Sequence, residues 1–225
     1  MPISTKELKL VERAGVTVIT LEDPGYPEVL KEIYDPSLCL YVRGKIGVLN
    51  DGTLKRSLAV VGSRRTTRYG VVTTENLTLS AVNAGLAIVS GLARGIDTIA
   101  HRVAVQSGGC TIAVLGGGLG YIYPQENLSL ARAITDNGLL MSEQPMLFKV
   151  DKRSFPMRNR IISGLTRGTI VIEAGAHSGA LITAQQALEQ GRLVFAVPTG
   201  PHRLAPIPGM SQVDQAGCEA GRVAR

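Results

Sequence analysis

The chain has 225 residues, 44% hydrophobic and only 19% charged, with a net charge of +6 and a pI of about 9.4. This composition excludes wholesale disorder, allows a full core in one domain or one domain with an appendage, and favours a polyanionic partner without specifying which. Cys39, Cys110 and Cys218 lie far apart with no C-x-x-C pair, no apolar run reaches membrane-spanning length, and MPISTKELKL lacks an apolar signal segment. The sequence therefore argues against a metal site, a disulfide framework or a membrane partner, and leads us to expect a soluble cytoplasmic protein.

In chain order, VTVIT (16–20) and LCLYV (38–42) read as strands flanking LEDPGYPEVLKEIYDPS, whose Pro and Gly break it into turns and one short helix. Residues 1–57 are expected to form an extension packed on an edge of the main sheet, with residues 58–225 as the main domain. From residue 58, strands are expected at LAVVG (58–62), LAIVSG (86–91), TIAVLG (111–116), LLMSE (139–143), TIVIEA (169–174) and LVFAVP (193–198). Helices are expected near 70–84, 95–107, 126–137, 157–166 and 179–190, with Gly108-Gly109, Asn137-Gly138 and Gly191 as stops. The strands are continuous apolar runs, as strands covered on both faces must be. Alternating strands and helices predict an α/β fold with a doubly wound, mostly parallel sheet. After Pro198 the chain reads as a Pro- and Gly-rich loop and a short weak helix.

Ligands of such sheets bind at the carboxyl ends of the strands. There, GSRRTTRYG (62–70) brings a glycine, a hydroxyl and three arginines to a helix start, an anion site or else a tight turn with a solvated basic helix start. In SGLARGIDTIAHRVA (90–104), Asp97 and His101 share a helix face. They read as structural groups, Asp97 bracing the first turn and His101 hydrogen-bonded behind the loop, with a general-base pair as the alternative. GGGLG (116–120) misses the dinucleotide fingerprint, because its third glycine comes one residue early and no helix opens at once. Ser178 and Gly179 stand where a helix begins, either an anion site or an ordinary N-cap. His177 reads as an exposed loop residue.

The stretch SFPMRNRIISGL (154–165) sets one of the three phenylalanines among Lys149, Lys152, Arg153, Arg158 and Arg160. Cations for phosphates beside a ring for unstacked bases suit a single-stranded nucleic acid. The alternative is that Phe155-Pro156 plugs the core beneath a solvated basic helix.

Through VVGSR (60–64), SGLARGIDTIAH (90–101), AVLGGGLGYIYPQEN (113–127), LLMSEQP (139–145), FPMRNRIISGL (155–165) and VIEAGAHSGALITAQQALEQGRLVFAVPTG (171–200), the chain resembles the DNA-processing protein A family (DprA, or Smf). The likeness extends upstream through GYPEVLKEIYDPSLCLYVRG (25–44). It implies an extended Rossmann domain that binds single-stranded DNA, protects incoming DNA in natural transformation and helps load the recombinase RecA. It also implies a homodimer without cofactor or catalytic centre. By position in the matched motifs, Arg64 and Lys152 resemble the phosphate-binding cations and Phe155 the base-stacking ring. Gly62, Ser63, Ser178 and Gly179 correspond to backbone anion contacts, and Arg158, Asn159 and Arg160 to the same basic motif. Family members often carry a small helical domain before the Rossmann part and a winged-helix-like domain after it, for which this chain starts too late and ends too early. The segment GMSQVDQAGCEAGRVAR (209–225) departs from the family's usual dimerisation and RecA-contact region.

Three rival readings remain. A phosphoribohydrolase of the lysine-decarboxylase-like type would use a P-G-G-x-G-T-x-x-E motif; EAGAHSGALITAQQ lacks the P-G-G, has Gln185 or Gln186 near the catalytic position, and leaves Glu143 and Glu173 as the nearby carboxylates. A NAD-dependent oxidoreductase is disfavoured by the broken glycine pattern. A nucleotide-sensing module would hold a mononucleotide in the basic pocket.

Overall fold

The computed structural model describes residues 4–176 and 178–198. Its strands are β1 (Thr17–Thr20), β2 (Cys39–Gly44), β3 (Ser57–Gly62), β4 (Ala87–Ser90), β5 (Thr111–Val114), β6 (Leu139–Ser142), β7 (Gly168–Ile172) and β8 (Leu193–Ala196). Its helices are α1 (Thr5–Arg13), α2 (Glu28–Lys31), α3 (Arg68–Asn83), α4 (Ile96–Gln106), α5 (Leu128–Asn137), α6 (Ser154–Gly164) and α7 (Gly179–Glu189). The strands form one sheet in the order β1-β2-β6-β5-β4-β3-β7-β8. β3 to β8 pair in parallel, whereas β1 pairs β2 and β2 pairs β6 antiparallel.

Every residue of β4, β5 and β6 is buried, because alternate side chains enter different cores. Val61, Val89, Ile112, Val114, Leu139 and Met141 face Leu30, Ile161, Ile162, Leu165 and Ala184 of α2, α6 and α7. On the opposite face, Val60 and Ile88 meet α3 and α4, and Ala113 and Leu140 meet α5 and α1. The six parallel strands and five crossover helices lie where the apolar pattern predicts them. Helix α1 was not foreseen: TKELKLVER is mostly polar and charged, with Val11 its one buried residue, and Ser4 caps it by accepting from the Glu7 N–H. Helix α6 begins three residues earlier than predicted because the Asp151 carboxylate accepts from the N–H groups of Arg153 and Ser154 at 2.8 and 2.7 Å. Phe155 thus lies in the first helical turn rather than in a loop.

The N-terminal segment is tied to the sheet by Arg160. Its guanidinium donates to Glu143 at the end of β6 at 3.0 and 2.7 Å, to the carbonyl and carboxylate of Asp35 at 3.0 and 3.2 Å, and to the Met157 carbonyl at 2.8 Å. Ser37 donates to the same Glu143 carboxylate, and Tyr26 to the Ser37 carbonyl. The expectation that Arg160 is one of a set of free surface cations is corrected, since a carboxylate pair and two carbonyls consume its donors. With side chains of Arg160 and Glu143 only 13% and 12% exposed, removing one partner strands the other charge. Arg160→Ala should lower unfolding free energy by about 3 kcal/mol in urea titrations. Lys31→Ala, which breaks an exposed pair with Glu28, should change it by less than about 0.5 kcal/mol.

Candidate nucleic-acid interface

In a doubly wound sheet the ligand crevice is expected where strand order reverses, here between β3 and β7. That crevice is closed. Glu173 follows β7 with φ 55°, a left-handed conformation costing on the order of 1 kcal/mol or more outside glycine. It turns the carboxylate onto the start of α3, where it accepts from Thr66 Oγ1 at 2.8 Å, the Thr67 N–H at 2.9 Å and Thr67 Oγ1. Partial burial raises this carboxyl, but the hydrogen bonds from Thr67 and Thr66 outweigh it and hold the group below the usual carboxylate range. The helix start expected as a phosphate cradle is therefore filled by the chain's own anion, while Arg64 and Arg65 beside it stay exposed.

The open cleft lies over the ends of β3, β4 and β5 instead. It has a volume of about 60 Å³ and is walled by Arg64, Arg94, Gly116, Tyr121, Tyr123 and Phe155. The Arg64 guanidinium carbon stands 4.6 Å from the centroid of the Phe155 ring, and the Tyr123 ring lies 6.2 Å from it, tilted by 53°. On the outer rim Arg94 is held by Glu126 in two bonds of 2.9 Å. In the glycine loop after β5, Gly118 and Gly120 donate their N–H groups to the carbonyls of Phe148 and Met146 at 3.0 and 2.8 Å, while Gly116 and Gly117 line the cleft. A side chain on Gly118 would meet the Pro145 carbonyl at 1.8 Å.

Beneath the cleft lies Arg158, 4% exposed. Its Nη1 donates to the carbonyl of Val114 at the end of β5. The guanidinium fills the space left by Gly91, where a β-carbon would lie 2.0 Å from Nη1. Burial pulls its pKa down to about 10 against the attraction of Asp97, so it stays charged at neutral pH. Burial also pushes the Asp97 carboxyl up, opposed by Arg158 and by N–H bonds from Ala93 and Gly91. His101 is fully buried with Nδ1 2.8 Å from Thr111 Oγ1. Desolvation first, then the Arg158 charge, drops its pKa to about 3. Both Asp97 and His101 serve the architecture, and the two are not in hydrogen-bond contact with each other among the described residues.

Residues 17–219 match the profile of the family described as DNA recombination-mediator protein A. The chain is 45% identical over 197 residues to the DNA processing protein DprA of Bacillus subtilis, covering 88% of this chain and 65% of that protein. It is 46% identical over 181 residues to the DprA of Streptococcus pneumoniae, covering 78% and 61%. The X-ray structure of the Streptococcus pneumoniae DprA superposes with a TM-score of 0.79 at 42% identity, over 89% of this chain and 69% of that one. The Helicobacter pylori DprA, whose structure was described for its single-stranded DNA binding mode, superposes with a TM-score of 0.72 at 31% identity, over 83% of both chains. The chain belongs to the DNA recombination-mediator protein A family, that of the DprA and Smf proteins. It spans roughly half to two thirds of the length of the curated relatives it matches.

In this family member the residues singled out in the sequence are dispersed. Arg64 and Phe155 meet in the cleft, and Lys152 is exposed in the turn that opens α6. Gly62 ends β3 opposite Ile172, and the Ser63 hydroxyl is spent on the Arg65 backbone. Ser178 is an N-cap, accepting from the Ala180 N–H at 3.3 Å, and the Gly179 carbonyl accepts from buried Asn159. Arg158 is beneath the surface and Arg160 at the N-terminal latch, so neither is the free cation expected. His177, Cys218 and the 209–225 segment lie outside the described residues. Tyr121, Tyr123 and Arg94 were missed in the sequence, although YIYP directly after a strand-end glycine loop is the signal that could have found the tyrosines.

At Gly62 a β-carbon would lie 2.0 Å from the Ile172 carbonyl oxygen, whereas at Gly179 it would meet open space. Gly62→Ala should therefore cost about 1–3 kcal/mol of stability by overpacking, and Gly179→Ala should stay within about 0.5 kcal/mol, measured by urea unfolding.

His101 gives a pH test. Unfolded, its ring takes a proton below about 6.5, the ordinary value; folded, it stays neutral to about 3. The unfolded state therefore binds more protons throughout that window, and stability should fall as pH drops from 7 to 5.5. The loss approaches at most about 1.4 kcal/mol per pH unit. His101→Gln should flatten this slope, as read by urea midpoints at the two pH values.

Proposed function

We propose that residues 58–225 form a single-stranded DNA-binding unit, with residues 1–57 as an extension supporting it, and that it acts by binding rather than by catalysis. The observation that carries this reading is the pairing of Arg64 with Phe155 at 4.6 Å in the cleft, with exposed Lys152 three residues from the ring. A base that stacks on Phe155 is worth about 1–3 kcal/mol. The cation–π contact it displaces is worth about 0.5–1 kcal/mol at an exposed site. Stacking therefore wins, and the released guanidinium is free for the neighbouring phosphate. Arg64 and Lys152 take phosphates and Phe155 takes a base. Backbone contacts to DNA at Gly62, Ser63, Ser178 and Gly179 belong to the same proposal and rest on the family motifs, since none of the four lines the cleft. Arg158, Asn159 and Arg160 act by holding α6 rather than by touching DNA.

Protection of incoming DNA in natural transformation, help in loading RecA, a homodimeric state and a cytoplasmic location belong to the same proposal and rest on family membership. Among the described residues no helix is long and apolar enough to cross a membrane. Against the phosphoribohydrolase reading, Glu173 is committed to Thr66 and Thr67, and Glu143 to Arg160 and Ser37. A nucleotide-sensing module would bind a mononucleotide as tightly as an oligomer, whereas binding spread along several loops should strengthen with oligomer length.

The test is fluorescence anisotropy of labelled oligo-dT at several salt concentrations. Arg64→Ala and Lys152→Ala should each flatten the slope of log affinity against log salt by about 0.7, one phosphate apiece. Phe155→Ala should keep the slope and lose about 1–3 kcal/mol. A wild-type protein that does not bind, or three variants that bind like it, would remove the reading.

A further inference from the structure

The device at Phe155 occurs twice. Lys149 Nζ stands 5.8 Å from the centroid of the Tyr121 ring, as the Arg64 guanidinium stands over Phe155. Both rings open into the same cleft, with Tyr123 between them in sequence and also in its wall. Lys149 is exposed and Tyr123 is 42% exposed. Each ring is therefore reachable from solvent, with a cation poised beside it or beside its neighbour.

We propose that Tyr121, Tyr123 and Lys149 form a second nucleotide subsite, taking the base and phosphate next to those held by Phe155 and Arg64. This rests on the single-stranded DNA reading above. Tyr123 and Phe155, with centroids 6.2 Å apart and planes tilted by 53°, are in edge contact and leave no slot for a base between them. Each must offer its outer side to a different base, which makes two consecutive positions rather than one sandwich.

The loop is built to hold these rings still. Gly118 and Gly120 are bonded to the carbonyls of Phe148 and Met146, and the Tyr121 N–H donates to the Gly118 carbonyl at 2.9 Å. Pro124 is buried, and Gln125 donates back to the Ile122 carbonyl at 3.0 Å. The same 146–148 segment that anchors the glycine loop leads into Lys149, so the cation and the ring it covers share one support. Rings fixed before binding lose little freedom on stacking. Phosphates are met by Lys149 as a mobile point charge that can leave the tyrosine face when a base arrives.

The test uses labelled dT oligomers lengthened one nucleotide at a time, and matched oligomers with single abasic positions. The wild type should show two successive gains in affinity. Tyr121→Ala and Tyr123→Ala should each remove the second gain, on the order of tenfold, and leave the shortest binding oligomer unaffected. Tyr121→Phe and Tyr123→Phe should retain it, which separates loss of a ring from loss of the fold. Lys149→Ala should flatten the salt slope by about 0.7 for the longer oligomers only. If both tyrosine-to-alanine variants bind every length as wild type does, the subsite does not exist. Phe155→Ala run alongside separates the two readings: sensitivity at Phe155 with none at the tyrosines leaves the primary site and removes the second, and a wild type that binds no oligomer removes both.

Discussion

The guanidinium of Arg158 has left water, and the candidate site depends on how that charge is accommodated. Moving such a group into the interior costs several kcal/mol unless hydrogen bonds and an opposite charge offset it. Here the carbonyl at the end of β5 accepts from it, Gly91 leaves the room it occupies, and the Asp97 charge on the first turn of α4 attracts it without a direct bond, while its Nε is left without a partner. Three elements are thereby fixed to one planar group. Phe155 lies three residues earlier on α6, on the neighbouring part of the same helix face. The buried cation thus sets the height and direction of the ring above it, without itself meeting the ligand.

The electrostatics of the sheet's carboxyl end follow a similar division of labour. Glu173 fills the start of α3, Asp151 caps α6, and Glu143 neutralises Arg160. Carboxylates at this end are turned inward onto backbone donors, hydroxyls or arginine. Arg64, Arg65, Lys149 and Lys152 remain on the surface, and Arg94 on the rim is held by Glu126. The starts of α3 and α6, a common source of positive potential for anions, are used up internally by Glu173 and Asp151. The positive field offered outward comes from side chains, which suits a flexible polyanion whose phosphates need not enter a fixed cradle.

The fold was legible because burial on both faces leaves continuous apolar runs, and Val60 to Val61 or Ile112 to Val114 could not be read otherwise. Helix α1 was not, since its residues are mostly charged or polar and only Val11 among them is buried. The site was legible in part. Arg64 and Phe155 could be paired because their loops belong to the same end of the sheet. Arg158 and Arg160 could not be sorted from them, because a sequence displays a charge but not the carbonyl or carboxylate waiting for it. Glu173 was noticed only as a possible catalytic acid, and its role as the plug of the crevice depends on a left-handed backbone that no local pattern announces. The glycines of GGGLG drew attention as a broken dinucleotide fingerprint, and the two tyrosines that follow them passed unread.

The most direct test of Arg158 as a buried strut is a crystal structure of the protein bound to a short dT oligomer. The account predicts a base stacked on Phe155, phosphates at Arg64 and Lys152, and Arg158 still bonded to the Val114 carbonyl with no phosphate within about 4 Å, salt-bridge range. An Arg158 guanidinium withdrawn from β5 onto a phosphate would contradict it.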